Sequence, residues 1–327
     1  MFNIVEKRRW FFLISACVVI PSILIMIYST LATGAPFRLS IDFVGGTIYD
    51  LTFTGPGANE DNIRDVFAQY GDSDVSIQQL RDTTEAVDAA ETYRWSVRGS
   101  IPQDQQTSEA IQAELNQIAP LDENRLSIET VSQTIGSEVA RAAVVAVLVA
   151  CAIVTGFIVL AFRQVPNAWR YGLCAVGAML HDVIIVMGLM SLLGLLLGWE
   201  IDALFLTAVL TTVGYSVQDT IVLFDRIREN IPKHLGEPYE TIVNRSIWET
   251  IHRSLATQLN AFFVMAAILL FGGDTIKQFI LVLFVGLLAG TYSSIFTAVP
   301  LLVAWEKGEI PFLKGRYVSQ SPAAAEA

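Results

Sequence analysis

Asp219 lies inside an otherwise apolar stretch, and the residues one and two turns before it carry hydroxyls: Ser216 three back, Tyr215 four and Thr212 seven. On a helix this spacing gathers all four on one face. A carboxylate in hydrocarbon is costly and marks an ion or substrate path unless packing alone holds it. A carboxyl group that moves between an apolar setting and one beside a cation binds a proton in the first and gives it up in the second. A hydroxyl-lined face with one carboxylate therefore suits proton binding; the competing reading is an aspartate hydrogen-bonded to neighbouring helices. His181 and Asp182 interrupt a second apolar run near its middle. They are either a proton relay or a satisfied polar contact between helices, and sequence leaves both open. Arg253, beside His252, stands just before a third run. From position alone it reads as a snorkelling helix-end arginine; the alternative is a counter-charge for Asp219. Gln258 and Asn260 are weaker polar candidates in the same run.

Other chemistries find less support. No G-x-x-x-x-G-K-[ST] phosphate loop is present. The acidic interval 35–137 contains no histidine, so it offers no Ser–His or Cys–His arrangement. Cys17, Cys151 and Cys174 all fall in apolar segments and read as buried free thiols, implying neither a disulfide framework nor a metal site. Paired membrane aspartates, Asp182 and Asp219, raise an intramembrane aspartyl protease. Ser216-Val217-Gln218-Asp219 lacks the Gly-x-Gly-Asp that marks such enzymes. The expectation is a protein that is not an enzyme, has no cofactor or metal, and draws energy from the membrane gradient or a partner.

The elements that must position these residues follow from hydropathy. Of the 327 residues 53% are hydrophobic and 16% charged, a composition of membrane proteins. A spanning helix needs roughly 20 apolar residues. Six runs qualify, at 10–31, 139–162, 171–199, 204–224, 255–271 and 279–305. The first is too long for the core of a cleaved signal peptide and is followed by a poor cleavage site, Thr33-Gly34-Ala35. The link 225–252 opens with Asp225, Arg226, Arg228 and Glu229. It then places Tyr239, Ile242, Val243, Ile247, Trp248 and Ile251 at helical spacing behind Pro238, which suggests an amphipathic helix lying on the membrane face. A cytoplasmic start at 1–9 and a tail at 306–327, ending in small residues and read as disordered, complete the chain.

The interval 32–138 reads as an α+β domain. Strands over Gly46–Thr54, Val75–Arg81, Thr92–Gly99 and Arg125–Val131 alternate with helices starting after Asn59 and spanning Asp104–Ala119. The order β-α-β-β-α-β is that of a split βαβ, ferredoxin-like sheet. Between Ala35 and Ser137 there are 17 Asp/Glu and 6 Arg, which account for the whole net charge of -11. Such acidity argues against nucleic acid as a partner.

Positive charge in short loops sets orientation. Lys7, Arg8 and Arg9, Arg163 and Arg170, Arg226, Arg228, Lys233 and Arg245, and the basic tail fall on one side; the opposite turns hold almost none. Both termini are expected in the cytoplasm and the acidic domain outside it, in the periplasm.

Three stretches carry a resemblance. Ile41-Asp42-Phe43-Val44-Gly45-Gly46, directly after the first span, is similar to the D-F-x-G-G motif of the SecD/SecF family of protein-export membrane proteins, which belongs to the RND superfamily. G-Y-S-V-Q-D-T-I-V-L-F-D-R-I-R-E-N at 214–230 resembles that family's most distinctive signature, in its SecF branch. Asn244-Arg245-Ser246 and His252-Arg253-Ser254 resemble its pattern around the fifth span. The resemblance covers essentially the whole chain, least over the acidic domain and tail. It implies an RND half-transporter fold in the bacterial inner membrane, a SecD partner of matching topology, and association with the SecYEG channel. It further implies use of the proton-motive force to promote late translocation and release of an exported polypeptide. Asp219 matches the family's proton-conducting carboxylate and Arg253 its coupled arginine. Asp42, Gly45 and Gly46 are expected to shape the junction between first span and domain, since paired glycines allow close backbone approach. This sequence departs from the family's Thr/Ser-rich start of the fifth span, reading Arg253-Ser254-Leu255-Ala256-Thr257-Gln258. The alternative function is a scaffold subunit of the channel that transports nothing.

Overall fold

Six long apolar helices, and a small sheet inserted after the first of them, organise the computed structural model, which describes residues 3–72, 75–80, 93–100, 105–163 and 167–310. Among the described residues the helices long enough to cross a membrane are α1 (Arg8–Thr33), α5 (Gln133–Ala161), α6 (Ala168–Leu197), α7 (Ala203–Lys233), α8 (Tyr239–Phe271) and a sixth. The sixth is α9 (Asp274–Ser293) continued through a π-helical turn (Ser294–Ala298) into α10 (Val299–Glu306). Their outward faces are apolar: Leu13, Leu24 and Ile27 on α1, Leu148, Ile153 and Leu160 on α5, and Phe263 and Leu270 on α8 are all exposed. Such surface is stable only against lipid tails or a partner. This is a multi-pass helical membrane protein. The expected end of the tail, from 311 onward, lies outside the described residues, as do Arg81 and Asp104.

The inserted domain holds α2 (Ile41–Val44), β1 (Gly46–Phe53), α3 (Glu60–Gln69), β2 (Ser76–Leu80), β3 (Tyr93–Gly99), α4 (Gln105–Ile118) and β4 (Ser127–Val131). The antiparallel sheet has the order β2-β3-β1-β4. Its core face carries Tyr49, Leu51, Phe53, Trp95 and Val97 at the two-residue period of strands, covered by Ile63, Val66 and Phe67 of α3 and Ile111 and Leu115 of α4. The Asn59 side chain accepts from the Asn62 amide at 2.8 Å, which starts α3 as the sequence suggests.

One expected element is placed differently. The link after the fourth span is not a separate helix on the membrane face. α7 runs on through the charges to Lys233, and α8 starts at Tyr239 and continues without a break into the fifth span. Tyr239, Val243 and Ile247 are buried against Leu223, Phe224 and Ile227 of α7. The periodicity was that of a helix, and its apolar face is covered by protein.

Charges pin this end of the bundle. Arg226 donates to Glu249 at 2.6 Å, and Asn230 Nδ2 donates to the Ser246 hydroxyl and to Glu249. The Arg228 guanidinium donates to the Ala161 carbonyl and lies over the Phe162 ring. Arg8 pairs with Glu240 and Glu309, Lys307 reaches Glu240 at 2.8 Å, and the Ile4 amide donates to Asn244. The start of the chain, the α7–α8 turn and the end of α10 thus meet at one end, opposite the sheet. The Arg8 guanidinium holds the Glu309 carboxyl below the usual carboxylate range.

Candidate functional site

α6, α7 and α9 cross where their side chains are smallest. A Cβ on Gly286 of α9 would lie 2.4 Å from Thr212 Oγ1, and one on Gly290 would lie 3.0 Å from Ser216 Cβ. The two glycines stand four apart, the small-xxx-small spacing that lets membrane helices approach closely. One turn further, Ser293 brings its hydroxyl to the same level.

This approach builds a buried polar knot around Asp182. The carboxylate is 0% exposed and accepts three hydrogen bonds. Ser216 of α7 donates to Oδ2 at 2.6 Å, Ser293 of α9 donates to Oδ2 at 2.8 Å, and His181 Nδ1 lies 3.0 Å from Oδ1. Those donors satisfy most of the lone pairs a buried carboxylate presents.

Asp219 sits one turn beyond Ser216 and turns to another neighbour. Gln258 Nε2 of α8 donates to its Oδ2 at 2.7 Å, and the Ser254 hydroxyl also bonds to it. Asp182 and Asp219 thus hold different partners on different helices, which leaves the protease reading without a shared catalytic pair. Arg253 lies close enough for its charge to act on Asp219, but its side chain is exposed and no hydrogen bond or ion pair joins the two among the described residues.

Thr212, Ser216 and Asp219 are buried together on the inner face of α7. Tyr215 is not with them: it is 40% exposed and faces outward. A helix advances about 100° per residue, so Tyr215 and Ser216 occupy opposite shoulders of the stripe and only one can turn in. A Cβ on Gly214 would likewise meet nothing within 4 Å, so this glycine makes no close helix contact among the described residues. Exposed Thr207, Thr211, Gly214, Tyr215 and Gln218 of α7, with Arg253, Thr257 and Asn260 of α8, form an open polar face beside Asp219.

Sequence reading missed Ser293 and the Gly286/Gly290 pair, although a G-x-x-x-G inside an apolar run is a signal for helix contact. It ranked Gln258 low, and Gln258 is the hydrogen-bond partner of Asp219. Cys174 is buried, but Cys17 is exposed on the outer surface of α1, not buried as expected, and Cys151 is half-buried; all three are free.

At the opposite end, the Asp42 motif joins sheet to bundle. Gly45 (φ 77°) and Gly46 (φ 132°) adopt backbone that side chains disfavour, and each is pressed against backbone. A Cβ on Gly45 would sit 2.7 Å from Gln133 of α5, and one on Gly46 2.7 Å from the Gly99 carbonyl of β3. Asp42 Oδ2 accepts from the Ala203 amide at 3.0 Å, and Asp202 accepts from the Phe205 amide at 2.7 Å, so two carboxylates cap the start of α7. The Ser40 amide donates to Ile201 O at 2.9 Å and Arg98 pairs with Glu200 at 2.6 Å, tying the domain to the α6–α7 turn. Asp42→Ala should lower unfolding stability by about 1 kcal/mol, the worth of one cap. Thermal melts of the detergent-solubilised protein would read it. Asp202→Ala in the same background should cost a similar further amount, because it removes the second cap.

A six-span bundle with a carboxylate on its inner seam and an antiparallel sheet after the first span defines a class of multi-pass helical membrane protein. Two family models match it: the C-terminal region of protein export membrane protein SecD/SecF over residues 110–308, and the SecD/SecF GG motif over residues 31–56. The chain is 40% identical over 309 residues to protein translocase subunit SecF of Thermobaculum terrenum, covering 94% of both chains. It is 42% identical over 313 residues to that of Anaerolinea thermophila, covering 94% of this chain and 96% of the other. The crystal structure of SecDF, described as a translocon-associated membrane protein, from Thermus thermophilus superposes with a TM-score of 0.73 at 32% identity. That match covers 94% of this chain but 39% of the longer SecDF chain. The chain belongs to the SecD/SecF family of protein-export membrane proteins.

Proposed function

We propose that this chain is a SecF subunit of the bacterial protein translocase and that, with a SecD partner, it uses the proton-motive force to promote late translocation and release of exported polypeptides. The observation that carries the proton role is Asp219: a carboxylate buried in a spanning helix, within reach of the charge of Arg253, on the border of an open polar face. A glutamine, an asparagine and an arginine are costly against lipid tails. Their exposure on α7 and α8 favours a second half-transporter covering this face, as transporters built from two pseudo-symmetric halves do. The SecDF chain of Thermus thermophilus is matched over only 39% of its length by this protein, which leaves room in it for a second half.

Under this reading the termini lie in the cytoplasm of the inner membrane, near the basic loops. The sheet lies in the periplasm, where its βαββαβ order supports a ferredoxin-like domain that meets the chain emerging from SecYEG. Asp219 takes up and releases a proton as Arg253 approaches and withdraws, and the Asp42–Gly46 junction transmits the resulting helix movement to the domain. No cofactor is needed; the gradient supplies the energy.

The test is export into membrane vesicles containing the channel, SecD and this chain. A protonophore added after the ATP-driven stage should remove the stimulation due to this chain. Stimulation that persists at full size without a gradient would favour the scaffold reading and overturn this one.

A further inference from the structure

His181 is the member of the Asp182 knot that faces a pocket. His181, which is 8% exposed, lines a cavity of about 240 Å³ between α1, α6 and α9, walled otherwise by Ile14, Ser15, Val18, Val285, Leu288 and Tyr292, among others. His181 Nε2 is a buried polar atom with no hydrogen-bond partner. An orphan of that kind normally has a water or ligand to meet it. The space exceeds what one water requires, and Ser15 and Tyr292 join His181 in a wall that is otherwise apolar. The Tyr292 ring stacks over the imidazole at 6.2 Å, its hydroxyl donates to the Phe11 carbonyl at 2.7 Å, and the Ser15 hydroxyl lies 3.1 Å from that of Thr297. These hydroxyls lead from His181 along the α1–α9 seam toward the end of the bundle where α1 starts. The π-helical turn begins right after Ser293, at the same level. Such turns inside helices recur at functional sites.

We infer that His181 and Asp182 form a second proton-exchanging site, fed along the seam of α1 and α9, and coupled to Asp219 through Ser216. This rests on the proton-driven reading above. The ring donates its Nδ1 proton to Asp182, leaving the Nε2 lone pair facing the cavity. A proton arriving through cavity water adds at Nε2 and turns neutral imidazole into imidazolium beside the carboxylate; the reverse step returns it. No bond to carbon changes. The groups facing the pair are Tyr292 and Ser293 from the α9 helix, Ser216 from α7, and Ser15 from α1; no charged side chain lines the cavity among the described residues. A charge gained at His181 therefore acts on Asp182 first, and through its hydrogen bond on Ser216, three residues from Asp219. A pair serving only to fasten helices would need no cavity at its open nitrogen.

The experiment compares gradient-driven proton flux in vesicles holding the complete complex, across pH, for His181→Gln, Ser15→Leu and Asp219→Asn. Ser15→Leu fills the cavity and removes a hydroxyl on the outer helix without touching Asp182. His181→Gln and Ser15→Leu should each lower flux by roughly a hundredfold or more, the usual scale for losing a positioned proton-transfer group. His181→Gln should also change the shape of the pH profile, with complex assembly unchanged. Wild-type flux and pH profile in both variants, while Asp219→Asn is inactive, would overturn this inference alone. Wild-type flux in Asp219→Asn as well would overturn the proton-driven reading on which it rests. Should His181→Gln fail to assemble, Ser15→Leu decides.

Discussion

Asp219→Asn should abolish gradient-driven export while the protein still inserts, folds and binds its partner. Asparagine has the size of aspartate and keeps a carbonyl oxygen to accept from Gln258, whose amide now donates at 2.7 Å. What it loses is the ability to change charge. One elementary charge crossing a potential of 100 mV releases about 2.3 kcal/mol. A carrier that never ionises delivers none of it, so the expected loss is complete. Gln258→Leu makes the contrast: it leaves the carboxyl group and its Ser254 contact in place but removes one donor, at a cost of roughly 1–3 kcal/mol. It should therefore weaken export without abolishing it. The measurement is protease-protected precursor in vesicles with and without a gradient, beside co-purification of the complex. A scaffold predicts the opposite pattern, with Asp219→Asn silent and damage at Gly45 or Gly46 severe. An intramembrane protease predicts a cleaved product and equal dependence on Asp182 and Asp219. Undiminished export and proton flux in Asp219→Asn would refute the proton role.

What the sequence could and could not reveal follows from which interactions are local. The stripe Thr212–Ser216–Asp219 was legible because helical period is a property of one segment. The outward turn of Tyr215 was not, because the choice between two shoulders of a stripe belongs to the helices packed beside it. The partnership of Asp219 with Gln258 spans 39 residues and two helices, and no local spacing encodes it. Val243 and Ile247 gave the right period and the wrong surroundings: an apolar helical face reads the same whether lipid or protein covers it. The protein cover came from α7, which continues past Asp225, where Arg226 and Arg228 find acidic partners one turn away, at Glu229 and Asp225. The alternation of Tyr49, Leu51 and Phe53 announced a strand, whereas the order β2-β3-β1-β4 needed pairings that lie far apart in sequence. Ser293 carried no signal on its own; only its place one turn after Gly290 could have marked it.

Gly286→Val should be among the most damaging single changes in the bundle. The added Cβ would fall 2.4 Å from Thr212 Oγ1 and 2.6 Å from its Cγ2. Thr212 is buried and β-branched, so rotating it exchanges one collision for the other. α9 must then move off α7. Overpacking of this kind costs about 1–3 kcal/mol. The same movement pulls Ser293 from Asp182, and a hydrogen bond to a charged group is worth roughly 1.5–3 kcal/mol. The variant should melt well below the parent in detergent and lose export along with it. Adding Thr212→Ala, which removes both colliding atoms, should restore most of the stability; a loss that the second change leaves untouched would mean the helices are not held by this approach. Gly214 provides the control on the outer side of the same helix. A Cβ there meets nothing within 4 Å, so Gly214→Val should be nearly silent in the isolated chain. If a partner half packs on that face, the same substitution should break the complex, and the two glycines would separate the inner seam of this subunit from its outer one.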